Sequence, residues 1–295
     1  IATANHPGIR LFVVPKSLSG KPLKELPGTN LKWRVCNPQN ILAGTHLDEK
    51  TKQSQGFSGT AYYFGRELYT RLEKKVPIGL IQSAWGGSRI EPWTAPEGFA
   101  DEPALKNLNV NEGQHHSPTA IFDAMIKPIV PCAIKGVIWY QGEANVSRAN
   151  RYHKLFSNMI LDWREKWNQG DFPFYFVQLA PFNYQGDIDG VESAKLREAQ
   201  FKTMSLSNTG MAVITDIGNV YDIHPRNKKE VGRRLSLWAL AKDYGNKDIV
   251  YSGPLYKSMK VEAGKIRLEF DNSGSGLISK GGSLTHFKIS GRNKK

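Results

Sequence analysis

No apolar run in this 295-residue chain approaches the roughly 18 residues that a membrane-spanning helix needs, and no signal-like hydrophobic segment opens it. With Ile1 as its first residue, the lack of such a segment says little about location. Cysteine is scarce: Cys36 and Cys132 are too few and too distant to form a recognisable motif, and they either pair or stay free. No metal-ligand cluster occurs. Acidic residues are in deficit, with Asp+Glu 27 against Lys+Arg 40 and a formal charge of +13. A concentrated excess of that kind would point to nucleic acid or an anionic surface. Here the basic residues are scattered, in small clusters at Lys74-Lys75, at Lys228-Lys229 with Arg233-Arg234, and at Lys294-Lys295. RNP-like, zinc-finger and helix-turn-helix signatures are missing too. The charge therefore reads as a solvated surface, with neither nucleic acid nor membrane expected as a partner.

An apolar fraction of 40% and seven tryptophans argue for a core rather than disorder. The length suits one large α/β domain, alone or with a fragment of a second. Strand-like and helix-like segments alternate. Ile9 to Val14 reads as a strand, followed by a polar loop region to about Phe57. Ser58 to Lys74 reads as a helix, with Ala61, Phe64, Leu68 and Leu72 on one face and Ser58 as its cap. Strands follow at Pro77 to Gln82, Lys135 to Tyr140, Phe174 to Leu179 and Met211 to Ile217. Helices are expected at Thr119 to Lys127 (stopped by Pro128), Arg151 to Trp167, Val191 to Ser205 and Lys228 to Tyr244. This alternation predicts a parallel sheet covered on both faces over residues 1–249. From 250 to 295 the texture changes to short alternating strands (Lys260 to Glu262, Lys265 to Phe270, His286 to Ile289) between glycine-rich turns, the start of a β-rich domain or an edge on the first.

Ligands of open α/β sheets gather at the carboxyl ends of the strands. Three such ends carry chemistry here. Ser83-Ala84-Trp85-Gly86-Gly87 precedes Ser88-Arg89, where backbone N–H groups at Gly86 and Gly87 can face an anionic oxygen. Trp139-Tyr140-Gln141-Gly142-Glu143 presents an amide, a close-approach glycine and a carboxylate. Asp222-Ile223-His224-Pro225 presents a candidate base with a carboxylate two residues away, and Asp216 lies at the end of the preceding strand. Each also has an ordinary reading, as a tight turn, a surface carboxylate or a loop histidine.

The order of these loops, and the segments VPIGLIQSAWGGSRIEPW (76–93), 118–125, GVIWYQGEAN (136–145) and DIGNVYDIHPRNKKEVGRRLSLWAL (216–240), resemble the SGNH hydrolases and, within them, the sialate O-acetylesterase group. The resemblance implies an SGNH, flavodoxin-like α/β fold and a serine carbohydrate esterase acting on acetylated sugars without a cofactor or metal. It implies His224 as base, Asp222 (or Asp216) as its orienting carboxylate, Gly86, Gly87 and Gln141 around the oxyanion, Glu143 organising that network, and Arg89 near a substrate carboxylate. Trp85, Trp139 and Tyr140 are candidate faces for a sugar ring. Such enzymes usually meet periplasmic or extracellular glycans. The GQSN-type segment that carries the family's nucleophile does not occur in these 295 residues, and Asp123 stands where the pattern has Asn. The nucleophile is therefore expected upstream of Ile1, with Ser83 the in-chain substitute; a carbohydrate-binding or scaffold protein without catalysis is the alternative.

Overall fold

Two short three-stranded sheets, one mixed and one all parallel, form the frame. The computed structural model describes residues 3–29, 31–43, 46–47, 54–99, 115–279, 281–283, 287, 289 and 291. Strand β1 (His6–Val13) pairs in parallel with β5 (Ile78–Gln82) and antiparallel with the short β2 (Arg34–Cys36). Strands β6 (Val137–Trp139), β7 (Phe174–Val177) and β8 (Thr209–Ala212) make the second sheet, all parallel and in that order. A two-residue pair, β3 (His46–Leu47) with β4 (Ser54–Gln55), lies between β2 and β5 in sequence.

The side chains of β7 show how the helices cover this sheet. All four of its residues are buried, and alternate ones point to opposite faces. Phe174 and Phe176 meet Phe156 of helix α3 (Ala149–Trp167), at ring separations of 6.0 and 5.0 Å. Tyr175 meets Trp238 of helix α5 (Lys228–Lys242) at 6.2 Å and donates a 2.8 Å hydrogen bond to Asp243. Helix α3 therefore lies on one face and α5 on the other. Helix α4 (Val191–Thr203) packs beside α3, and α2 (Gly59–Arg71) beside α5. The α2–α5 contact closes at Gly232, where a Cβ would come within 2.6 Å of Thr60 O and 2.7 Å of Phe64 N.

Local signals act where expected. Ser58 caps α2 by accepting from Ala61 N at 3.2 Å, and Asn227 caps α5 by accepting from Glu230 N at 3.2 Å. Val231, Leu235, Trp238 and Ala239 all face the core. Three expectations need correction. The polar stretch before Phe57 is not all loop: it holds β2 and the short helix α1 (Pro38–Leu42), capped by Asn37. The helix expected at Thr119 to Lys127 is a π-helical turn, Phe122–Ile126, followed by a 3-10 turn at Lys127–Ile129 that runs through Pro128. Proline is tolerated there because it occupies the first turn of the new helix, where no N–H is needed. Strand β8 stops at Ala212, well short of Ile217, so Asp216 sits in a turn.

The chain divides into two compact units, Ile1–Ile249 and Val250–Lys295. The second contains a hairpin of β9 (Leu255–Glu262) and β10 (Lys265–Asp271), antiparallel with an irregularity between Glu269 and Phe270. The strand expected at 286–289 falls largely outside the described residues. Cys36 and Cys132 are free, the first buried and the second exposed.

Asp123 marks a cost inside the first unit. It is buried, and its Oδ1 has no hydrogen-bond partner. Burial first, then the nearby charge of Glu97, pushes its carboxyl up to about 6, against an opposing hydrogen bond with Thr119. A folded-state pKa above the unfolded value makes the native state bind more protons, so stability falls as pH rises from about 4 to about 6. Asp123→Asn should raise stability at pH 7 by on the order of 2–3 kcal/mol, and the gain should vanish near pH 4. Urea denaturation at both pH values checks this; equal gains at both would refute the electrostatic origin.

Candidate active site

The loops that follow β5 and β6 are locked together by a buried amide network. Gln141 donates from Nε2 to Ser88 O at 3.1 Å and to Asn145 Oδ1 at 2.8 Å. Asn145 Oδ1 also accepts from Ile90 N at 2.9 Å, and its Nδ2 donates to Glu91 Oε2 at 3.0 Å. The Tyr152 hydroxyl donates to Gln141 Oε1 at 2.8 Å, and Gln200 Nε2 reaches Gln141 O at 3.2 Å. Ser88 Oγ donates to Trp85 O at 2.7 Å while accepting from Trp93 Nε1 at 2.9 Å. Gly142 lets the loop pass under α4: a Cβ there would lie 2.9 Å from Leu196 and 3.3 Å from Gln200 Nε2. Both Gln141 amide hydrogens are thus committed, so in this arrangement Gln141 fixes the loop and has no spare donor for an oxyanion. Asn145, Glu91 and Tyr152 were not singled out from the sequence. Their signal was faint, since a buried Asn three residues past a glycine looks like any helix start.

Gly86 and Gly87 are exposed at the tip of a turn closed by Ser88 N to Trp85 O at 3.3 Å. Gly87 takes φ +76°, which glycine adopts at no steric cost. Beside this tip, Trp85 stacks on His115 (5.6 Å between centroids, 2° between planes), with Lys16 Nζ 5.8 Å from the Trp85 ring. Trp139, by contrast, is a core residue, edge-on to Trp93 and Trp163 at 5.7 and 6.0 Å, and offers no face to a sugar. Arg89 is held below the usual guanidinium range by burial, with Arg148 adding repulsion and Glu91 opposing both. Ser83 Oγ is buried without a hydrogen-bond partner, so no base contacts it.

The third loop approaches the second through Lys228 and His224. Lys228 Nζ lies 4.7 Å from the centre of the Tyr140 ring, a cation–π contact. Burial raises the Glu143 carboxyl, against the pull of backbone N–H groups, Lys228 and His224. Burial also lowers Lys228, against Glu143 and Asp222. Tyr140 and Tyr184 carry hydroxyls that are buried and unpartnered, both raised by burial and then by Glu143. Glu143, Lys228, His224 and the two tyrosines therefore share one field.

His224 itself is exposed. Asp222 Oδ1 accepts from the His224 backbone N–H at 2.9 Å, an Asx turn that fixes the loop bearing the imidazole. Asp216 is differently engaged. Both its oxygens are held by Arg234, at 2.6 and 2.7 Å, and Arg234 also bonds Glu230 at 2.9 Å. That fork holds Asp216 below the usual carboxylate range.

The α/β architecture, with loops bearing a histidine, a glycine tip and a braced amide beyond its strand ends, is an SGNH-like fold. Comparison with known proteins narrows the class. Residues 22–236 match the family profile described as carbohydrate esterase, sialic acid-specific acetylesterase. Human sialate O-acetylesterase is 31% identical over 285 residues, which cover 89% of this chain and 52% of that protein. The mouse sialate O-acetylesterase is 29% identical over 317 residues, 91% of this chain and 57% of that one. A crystal structure of a carbohydrate acetylesterase from Xanthomonas citri superposes with a TM-score of 0.84 at 38% identity, covering 99% of this chain and 62% of that one. An Arabidopsis thaliana protein, at 20% identity and TM-score 0.53, shares the fold. The chain belongs to the sialic acid-specific acetylesterase family of carbohydrate esterases. It spans about half the length of the curated relatives it matches.

The bracing role of Asn145 is directly testable. Asn145→Ala leaves Ile90 N–H, a Gln141 N–H and Glu91 Oε2 short of partners in a buried setting, at a cost of about 1–3 kcal/mol per stranded group. Chemical denaturation should show a loss of about 2–4 kcal/mol in total, since relaxation recovers part of that cost. A loss below about 0.5 kcal/mol would mean that the network does not brace the loops.

Proposed function

We propose that the protein is a carbohydrate O-acetylesterase and that residues 1–249 supply most of its catalytic domain, with the nucleophilic serine on polypeptide outside these 295 residues. The observation that carries this reading is the convergence of the glycine tip, the braced Gln141–Glu143 loop and the His224 loop within a chain of this family. The serine hydroxyl attacks the acetyl carbonyl as His224 takes its proton. The tetrahedral oxyanion is met by N–H groups at Gly86 and Gly87, each such donor being worth about 3 kcal/mol in the transition state. Collapse expels the sugar oxygen, which takes the proton back from His224. Water then repeats the sequence on the acyl-serine and releases acetate. Asp222 holds the loop by Oδ1, and its Oδ2, 4.0 Å from Arg226 Nε, is the oxygen that stabilises the imidazolium in this reading.

Two features bear on substrate. Arg89 and Arg148 flank one carboxylate, Glu91, which leaves an excess of positive charge beside the glycine tip. That favours a sugar carrying a carboxylate, such as a sialic acid, over neutral xylan or xyloglucan side chains. The expected setting is periplasmic or extracellular; among the described residues no helix is long and apolar enough to cross a membrane. The competing reading, a glycan-binding protein without catalysis, draws on the absence of a GQSN segment from this chain.

In the full-length protein, His224→Ala should lower acetyl-ester turnover by about 10³-fold or more with an unchanged melting temperature. Near-full activity would exclude His224 as the base. Asp222→Asn should reduce kcat strongly, whereas Asp216→Asn should mainly lower stability through the released Arg234; the reverse pattern would exchange the two roles. A fluorophosphonate probe offered to the folded 295-residue chain should leave Ser83 unlabelled. Labelling there would make Ser83 the nucleophile.

A further inference from the structure

When an acetyl ester is cleaved, the histidine that returns a proton to the departing sugar oxygen must stand within hydrogen-bond reach of it, about 2.6–3.2 Å. On the esterase reading that histidine is His224, so the sugar ring lies against the loop that carries His224. The backbone of this loop is tied down on several sides. Asp222 N donates to Asn219 O at 3.1 Å, closing a β-turn with Val220 and Tyr221 at its two central positions. Asn219 Oδ1 accepts from Tyr221 N at 3.0 Å, and Asp222 Oδ1 from His224 N at 2.9 Å. Asn183 N, in the loop that follows β7, donates to Val220 O at 2.9 Å. Gly218 approaches Pro181 of that same loop so closely that a Cβ on it would meet Pro181 Cδ at 2.3 Å.

On this fixed turn the Tyr221 side chain is 87% exposed, more than any other large apolar side chain described in residues 1–249. Trp33, the next most exposed aromatic of that unit, reaches 45%. A single exposed ring is ordinary on a protein surface. What distinguishes Tyr221 is its place, three residues before His224, so that the two Cα atoms are within about 11 Å even along an extended chain. That is the reach of one or two sugar rings. Tyrosine on a rigid turn also offers a large amphipathic contact at low entropic cost, since only two side-chain torsions remain to be fixed. The other aromatic side chains near the site are engaged: Trp139 in the core, Trp85 on His115, and Tyr140 under Lys228.

We propose that Tyr221 is a sugar platform: its ring stacks on the pyranose whose oxygen leaves by way of His224, or on the next sugar along, and so selects acetylated oligosaccharides over small acetyl esters. The inference rests on the esterase reading and names the class of substrate that the site prefers. A pyranose suits the position because it pairs an apolar C–H face with a hydroxyl edge. The ring supplies the apolar surface, while Asn219, Asp222, His224 and Arg226 make the surroundings polar. A protein partner is the poorer occupant, since the centre of a protein interface is depleted of charged residues and two charged side chains lie within five residues of this ring.

Steady-state kinetics of the full-length protein test this, with O-acetylated sialyllactose, acetylated xylo-oligosaccharide, and ethyl acetate, whose alcohol is too small to reach the ring. Tyr221→Ala should lower the ratio of kcat/KM for the better glycan ester to that for ethyl acetate at least about tenfold, through KM. Tyr221→Phe keeps the ring and should restore the ratio. Substitution at so exposed a position leaves folding intact. An unchanged ratio, a loss that phenylalanine does not restore, or hydrolysis of ethyl acetate alone overturns the proposal. So does self-association of the wild type that alanine abolishes, because the ring then contacts a second copy. If the wild type hydrolyses none of the three esters, the esterase reading falls, and calorimetry with the unacetylated glycans decides the platform separately. Weaker binding to the alanine variant than to the phenylalanine variant keeps it; equal binding removes it.

Discussion

The buried amides of Gln141 and Asn145 are what tie the two sheets of this protein together at the end where chemistry is expected. No ladder hydrogen bonds run between β5 and β6, so the relative position of their carboxyl-end loops depends on side chains. Amides suit that task because each offers two donors and an acceptor in one plane. Gln141 spends its donors on Ser88 O and Asn145, and its acceptor on Tyr152. Such a network is favourable only when complete, since a stranded buried polar group costs more than a formed bond contributes. Completeness therefore makes it rigid, and rigidity is what a preorganised glycine tip requires.

The electrostatics beyond this brace follow from burial. Glu143 is pushed toward its neutral form and Lys228 toward its neutral form, yet each opposes the other's shift. Both groups share this poorly solvated place with the unpartnered hydroxyls of Tyr140 and Tyr184. Lys228 stands in the first turn of α5, four residues after His224, so its seat over the Tyr140 ring also fixes where the histidine loop ends. Asp216, on the other side of that loop, is tied to the same helix through Arg234. The loop bearing His224 is thus pinned at one end by the Asp216–Arg234 ion pair, at the other by the Lys228–Tyr140 cation–π contact, and internally by the Asx turn of Asp222.

Much of this was legible in the sequence, for identifiable reasons. Helices α2, α3 and α5 announced themselves by apolar spacing and by Ser58, because their stability comes from one buried face. Strand β7 was legible as an unbroken apolar run. The π-helical turn at Phe122–Ile126 was not, since its periodicity over five residues matches that of an ordinary helix. Strand β8 was overextended because Val213 and Ile214 are apolar for packing rather than for pairing. At the site, the sequence could not say where the Gln141 donors go, which the structure places on Ser88 O and Asn145. Whether an amide faces a substrate or its own scaffold depends on Asn145, Ser88 and Tyr152, residues separated from it by 4, 53 and 11 positions. Spacing carries no information about such partners.

A slot of about 680 Å³ separates β5 from β6 and leaves Val137 and Ile138 of β6 half-exposed. Closing the gap by collapse would bring β5 and β6 into direct pairing, about 4.8 Å apart, and would shift the Ser88 and Gln141 loops past one another. The amide network resists that shift, because each of its bonds has a fixed geometry and no water to replace it. An apolar cavity of this size is itself costly, since its lining loses contacts on one side. Two opposing penalties, one for leaving the slot empty and one for closing it, therefore meet in the same few residues.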